Sequence, residues 1–144
     1  MSKKKDAALS ESLEDYLEAI YVIIRRKTAA RPKDIADQLK VTKASVTGAL
    51  KALAERGLVY HEPYDIVTLT EEGHRLAREI DTKHKALKAF FTGVLGVEES
   101  EAESVACKVE HAIPCDIKNR LVGLGDYLEK KLNIHWDAKQ GCFK

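Results

Sequence analysis

The chain has 144 residues, enough for one ordinary domain or two very small ones, and its 24 Lys+Arg nearly cancel 23 Asp+Glu. At 44% hydrophobic and 33% charged, it can bury a core beneath a strongly ionic surface, which argues against general disorder. No run approaches the roughly 18 consecutive apolar residues of a membrane span, the N-terminus lacks a signal-peptide core, and Cys107, Cys115 and Cys142 are too scattered for a disulfide framework; a cytoplasmic protein with no membrane partner is expected.

The Lys3–Lys5 run reads as a solvated tail. From Ser12 to about Lys27, Leu13, Leu17, Ile20, Tyr21 and Ile24 recur at helical spacing, with Ser10 or Ser12 available as N-cap. Pro32 opens a short second helix carrying Ile35, Ala36 and Leu39. A turn through Lys40 and Val41 leads to Thr42, the expected N-cap of a third helix with Val46, Leu50 and Leu53 inside and Gly57 at its end. The period then changes. Leu58–Tyr60 and Ile66–Leu69 are β-rich runs around a turn, a hairpin signal. Thr70 caps a long helix with Leu76, Ile80, Leu87, Phe91 and Val94 on one face, closed by Gly96. Helices over about 98–112 and 114–132 follow, the last striped by Ile117, Leu121, Leu124, Leu128 and Leu132. Asn133 to Lys144 shows no periodicity.

The near-zero total hides a partition. Residues 19–60 carry nine basic side chains against three acidic ones, whereas residues 97–116 carry six acidic side chains against Lys108. One segment suits an anionic partner and the other gathers carboxylates.

Two short helices joined by a tight turn, then a hairpin, give the order of a winged helix-turn-helix. The second helix of such a pair enters the major groove with its N-terminal side chains, here Thr42, Lys43, Ala44, Ser45 and Thr47. The hydroxyls and the small Ala44 suit base edges, while Lys43 and Lys51 suit phosphates, joined by Arg31 and Lys33 at the start of the preceding helix. A solvated helix face or a protein-interaction module is the plainer alternative.

Metal-ligand residue types recur on three helices. Asp15 and Glu18 share a face of the first, His84 lies beside the apolar stripe of the long helix, and Cys107, Glu110 and His111 form Cys-x-x-Glu-His. Converging carboxylates, imidazoles and a thiolate would make a first-row transition-metal site. Taken singly, the acidic pair would serve the helix macrodipole, His84 a boundary hydrogen bond and Cys107 simple packing. Two ionisable groups beside a thiol on one face, however, are costly to bury without a partner. Glu103, one turn before Cys107, reads as a surface side chain, with accessory ligation as the alternative.

Glu14-Asp15-Tyr16-Leu17-Glu18-Ala19-Ile20-Tyr21, the helix-turn-helix, Thr70-Glu71-Glu72-Gly73, and later His84 and Glu110-His111 together resemble the diphtheria-toxin-repressor family of metal-dependent transcriptional regulators, in register from about residue 10 to 132. The resemblance implies a mainly α fold: a winged helix with a two-stranded wing (1–72), then an all-helical metal-binding and dimerisation domain (73–144). It also implies repression of metal-uptake genes by a metal-loaded homodimer on a pseudo-palindromic operator in double-stranded DNA. Asp15 and Glu18 resemble the acidic pair of the manganese-responsive branch. His84, Glu110 and His111 match ligands of both branches, and Cys107 agrees with the iron-responsive one. In length the chain resembles the shorter members, so no SH3-like domain is expected. The soft thiolate and cellular availability favour Fe(II), with Mn(II) second and Co(II) or Zn(II) as further candidates.

Two rival readings remain. One is a metal-independent winged-helix regulator that senses an organic ligand or thiol redox state. The other is a metallohydrolase, against which stands the lack of any nucleophile–base arrangement or phosphate-binding loop. Cys115, Cys142, His61, His74 and His135 receive no role.

Overall fold

The computed structural model describes residues 8–144; the Lys3–Lys5 run lies outside them. The chain forms two compact units, one ending at Glu79 and the other spanning Ile80–Lys144. The long helix α4 (Glu71–Gly93) contributes to both.

The first unit contains α1 (Glu11–Lys27), α2 (Pro32–Leu39), α3 (Lys43–Glu55), β1 (Val59–Glu62) and β2 (Ile66–Leu69). Ser10 is the N-cap of α1, its hydroxyl accepting from Leu13 N at 3.2 Å. Pro32 begins α2, where a missing N–H costs nothing. The carboxylate of Asp34 accepts from Arg31 N at 3.2 Å and from Lys27 Nζ at 2.8 Å, tying the end of α1 to the start of α2. Lys40 closes α2 in the left-handed region at φ 55°. Thr42 caps α3 by accepting from Ser45 N at 3.2 Å. Beyond the last turn of α3, Gly57 has φ 71°, a conformation that a Cβ disfavours.

β1 and β2 pair antiparallel, with Val59 opposite Leu69 and His61 opposite Val67. Tyr64 and Asp65 turn the tip at φ 66° and 56°. The wing is anchored at its other edge by a bridge between Ala30 and Val67, with N···O distances of 2.8 and 3.1 Å. Leu17, Ile20, Ile35, Val46, Leu50, Leu53 and Val67 are fully buried. At about 1.5–3 kcal/mol for each large side chain, this shared core is what holds three short helices that would not persist alone. The Thr70 hydroxyl accepts from Gly73 N and donates to Gly57 O at 2.7 Å, so one side chain starts α4 and ties it to the end of α3. A Cβ on Gly73 would strike the Leu58 carbonyl, which explains a glycine in the first turn of this helix.

The second unit contains the rest of α4, α5 (Glu99–Val109), α6 (Cys115–Lys130), β3 (Trp136–Asp137) and β4 (Cys142–Phe143). Leu87, Val94, Ala102 and Ala106 are buried. Gly125 lets α6 pass close to Phe90 of α4 and to Val94 just beyond it. Helix α4 ends three residues before Gly96, whose φ of 62° makes the following turn. The aperiodic C-terminal segment forms a two-stranded hairpin. Trp136 rests on Gly96, donates its backbone N–H to Val94 O at 3.2 Å and meets Phe143 edge-on at 5.1 Å. Aromatic packing rather than alternation builds these strands, and periodicity gives no signal for that. Among the described residues, no helix is long and apolar enough to cross a membrane.

Candidate metal centre and DNA-facing surface

Glu110 follows the last residue of α5 and is 2% exposed. Its carboxylate is thus buried at the negative end of a helix, where both desolvation and the macrodipole oppose an anion. Oε2 lies 2.6 Å from Nδ1 of His84. Oε1 has no hydrogen-bond partner among the described residues, although His111 Nε2 stands 3.5 Å away. One ligand atom each of Cys107, Glu110 and His111 lie within 4.8 Å of one another. The spacing Cys-x-x-Glu-His places a sulfur on the last turn of α5, and an oxygen and a nitrogen on the C-cap and the residue after it; His84 adds a second imidazole from α4. An orphaned buried carboxylate oxygen with soft and borderline donors around it fits a divalent transition metal.

Within this unit the structure therefore brings together four of the six metal-site residues expected from the sequence. Asp15 and Glu18, the other two, sit half-buried on α1 of the first unit.

Glu103 also reaches this cluster. Its Oε1 lies 2.8 Å from His84 Nε2, while its Oε2 is 3.0 Å from Lys88 Nζ, which in turn is 3.2 Å from Glu99 Oε1. Burial acts to raise the Glu103 pKa, but the hydrogen bond from Lys88 and the neighbouring His84 outweigh it and hold the carboxyl below its usual range. The hydrogen bond to Glu103, then that to Glu99, raises Lys88. Sequence spacing alone leaves Glu103 on the surface and gives Lys88 no place, because the pairing of α4 with α5 is not written in either helix's own period.

On the first unit, Arg31, Lys33, Thr42, Lys43, Ala44, Ser45, Thr47 and Lys51 are all exposed. Ala44, Thr47 and Lys51 follow one another at helical spacing along α3. The hydroxyls are not equally available. Thr42 is engaged as the cap and lies 3.0 Å from Ser45 Oγ, and Thr47 donates to Lys43 O at 3.0 Å. Gly48 belongs to the same exposed row, and a Cβ there would meet nothing within 4 Å. Neither charge nor periodicity singles it out, though an uncompensated glycine inside a helix, at a cost of about 1 kcal/mol, is a usable signal.

Elsewhere, His61 pairs with Asp65 at 3.2 Å in the wing, His74 meets Tyr21 edge-on at 5.3 Å, and Cys115 and Cys142 are exposed thiols.

Comparison with known proteins matches residues 8–67 to the N-terminal DNA-binding domain, and residues 70–135 to the metal-binding and dimerisation domain, of the iron-dependent repressors. The chain is 40% identical over 114 residues to an uncharacterised HTH-type transcriptional regulator of Methanocaldococcus jannaschii, covering 78% of this chain and 91% of that protein. It is 32% identical over 123 residues to the HTH-type transcriptional regulator MntR of Lysinibacillus sphaericus, covering 85% and 88%. The solved manganese regulator SloR superposes with a TM-score of 0.68 at 28% identity over 84% of this chain, which spans only about half (53%) of the SloR chain.

Proposed function

Because the chain belongs to the iron-dependent repressor family of metal-dependent, DNA-binding transcriptional repressors, we propose that it represses metal-uptake genes in response to Fe(II), with Mn(II) the second effector. Its relatives are transcriptional regulators rather than enzymes. The observation that carries the reading is Glu110 Oε1, a buried carboxylate oxygen with no hydrogen bond among the described residues, beside two imidazoles and a thiol. A divalent cation would supply the positive charge that this oxygen lacks.

In this reading His84, Cys107, Glu110 and His111 are ligands, and Asp15 and Glu18 of α1 supply the remaining carboxylates. The last assignment rests on their helical spacing and their resemblance to the acidic pair of the manganese branch. Cys107 favours iron as a soft donor, while the manganese regulator among the relatives keeps Mn(II) second. Lys43 and Lys51, with Arg31 and Lys33, hold phosphates; Ala44, Ser45 and Thr47 meet base edges, with Thr42 fixing the start of the helix.

The functional unit is a cytoplasmic homodimer that presents two copies of α3 to successive major grooves of a pseudo-palindromic operator. The apolar stripe of α6 supports dimerisation. Ile117, Leu124, Tyr127 and Leu132 remain about half exposed within one chain, and a patch of this kind is commonly an interface. Metal dependence then follows from linkage: the ligands close around an ion more tightly in the DNA-competent arrangement, so binding shifts the population toward it.

The test is anaerobic titration with Fe(II), Mn(II), Co(II) and Zn(II), reading metal stoichiometry and operator affinity together. Metal-stimulated DNA binding is expected, and it should be abolished by Asp15→Ala or Glu18→Ala while the protein stays dimeric. Operator binding that is identical with and without metal would overturn the reading.

A further inference from the structure

The pairing of His84 with Glu103 and Lys88 assigns work to two side chains that are not themselves ligands. His84 and Lys88 are one turn apart on α4, and Glu99 and Glu103 one turn apart on α5, so the two rows face each other. The chain of contacts runs from Glu110 Oε2 to His84 Nδ1 (2.6 Å), from His84 Nε2 to Glu103 Oε1 (2.8 Å), and from Glu103 Oε2 to Lys88 Nζ (3.0 Å). The His84 side chain is only 12% exposed, and its ring is gripped at both nitrogens. An imidazole can offer a lone pair from one nitrogen only if its proton sits on the other, and the partner of that N–H sets both tautomer and ring orientation. Here Nδ1 faces the buried carboxylate and the orphaned oxygen beside it. Nε2 faces away, and Glu103 waits there.

We infer that Glu103 is a positioning residue for metal binding: it accepts the Nε2–H of His84, leaving Nδ1 as the donor on the Glu110 side, and Lys88 holds Glu103 in place. This rests on the proposal that His84 is a ligand. Glu103 thus orients a ligand rather than being one. The carboxylate side chain is 52% exposed, so its removal leaves no buried cavity and no large loss of packing.

The experiment is anaerobic titration of the full chain with Mn(II) and with Co(II), following affinity by calorimetry and ligand geometry by the Co(II) visible spectrum. Wild type is compared with Glu103→Ala, Glu103→Gln, Lys88→Met and His84→Ala. Loss of a side chain that orients a ligand typically weakens metal binding about 10–100-fold, and that range is expected for Glu103→Ala. Its Co(II) bands should shift, while the metal-free melting temperature should stay close to wild type. Glu103→Gln, whose side-chain oxygen still accepts the Nε2–H, should recover part of the affinity. Lys88→Met should lose less than Glu103→Ala.

If Glu103→Ala keeps wild-type affinity and spectrum, or binds more tightly, while His84→Ala loses binding, the inference fails and the metal-site reading stands. A fall in affinity with an unchanged spectrum and no recovery in Glu103→Gln reports a general structural effect, and it also overturns the inference. If His84→Ala itself binds both ions like wild type, the reading of the centre has failed.

Discussion

Glu110 Oε2 lies 2.6 Å from His84 Nδ1, although the two residues are 26 positions apart, His84 within α4 and Glu110 at the C-cap of α5. One end of this contact is a carboxylate at the C-terminus of α5, placed where burial and the helix dipole both penalise it. A fold maintained only for stability would favour an apolar side chain there, since buried ion pairs are often no better than well-packed hydrophobic residues.

Glu110→Gln removes the charge and keeps the shape. The metal-free variant should melt at or above the wild-type temperature, because the substitution removes a charge that is costly to bury. The upward shift of melting temperature that Mn(II) gives wild type should vanish. Scanning calorimetry with and without metal checks both halves.

Gly48→Ala should stabilise α3 by up to about 1 kcal/mol, since the added Cβ meets nothing within 4 Å. Operator affinity should fall, because the methyl group stands on the row shared with Ala44 and Lys51. Thermal melts and fluorescence anisotropy on the same preparation separate the two effects. A variant that gains stability and loses no affinity would show that α3 does not approach DNA along this row.

Lys51→Ala removes one exposed cation of that row. The slope of log K against log salt should become shallower by ~0.9, the share of one phosphate contact. Operator and non-operator DNA should weaken together. A selective loss on the operator would instead assign Lys51 to a base edge.

Leu124→Glu places a charge in the half-exposed stripe of α6. Sedimentation velocity should show the dimer replaced by monomer at micromolar concentration. The monomer's helical content should be retained, because Leu124 is 50% exposed within one chain.

Asp34 carries a pH signature. The hydrogen bond from Lys27 outweighs burial, the next-largest effect, and together with the charge of that ammonium and the backbone N–H and charge of Arg31 it holds the carboxyl below the usual value. A carboxyl depressed in the folded state adds stability that is fully present above its unfolded pKa of about 3.9. That stability is lost as pH falls through the lower folded value. Asp34→Asn should cost roughly 0.5 kcal/mol at neutral pH and flatten the acid limb of the stability curve below about pH 4, read by urea unfolding across pH.

Most of the first unit is legible in the amino-acid order alone. Ser10, Pro32, Thr42 and Gly57 act on neighbours within a few residues, as Thr70 does in capping α4 through Gly73, and a helix period or a strand alternation is a local property of the chain; the bond from Thr70 to Gly57, 13 positions away, is not. The observed helix boundaries differ from the periodicity by one to three residues, and the wing has an anchor at Ala30 that no alternation announces. The C-terminal hairpin leaves no such trace, because an aromatic contact between Trp136 and Phe143, seven positions apart, builds it rather than a repeating pattern.

The sequence by itself determined the residue types of the centre: the Cys-x-x-Glu-His spacing keeps three donors within five residues at the C-terminal end of α5. It equally determined the basic, small and hydroxylic character of α3, since helical spacing alone lines those residues up. Only the tertiary structure decided which oxygen of Glu110 has no hydrogen bond among the described residues, which nitrogen of His84 meets the other oxygen, and that Glu103 and Lys88 stand behind that ring. The physical reason is range. Spacing sets which side chains share a face of one helix, but which atoms meet across two helices depends on how α4 and α5 pack, and that is settled by the buried apolar residues of both.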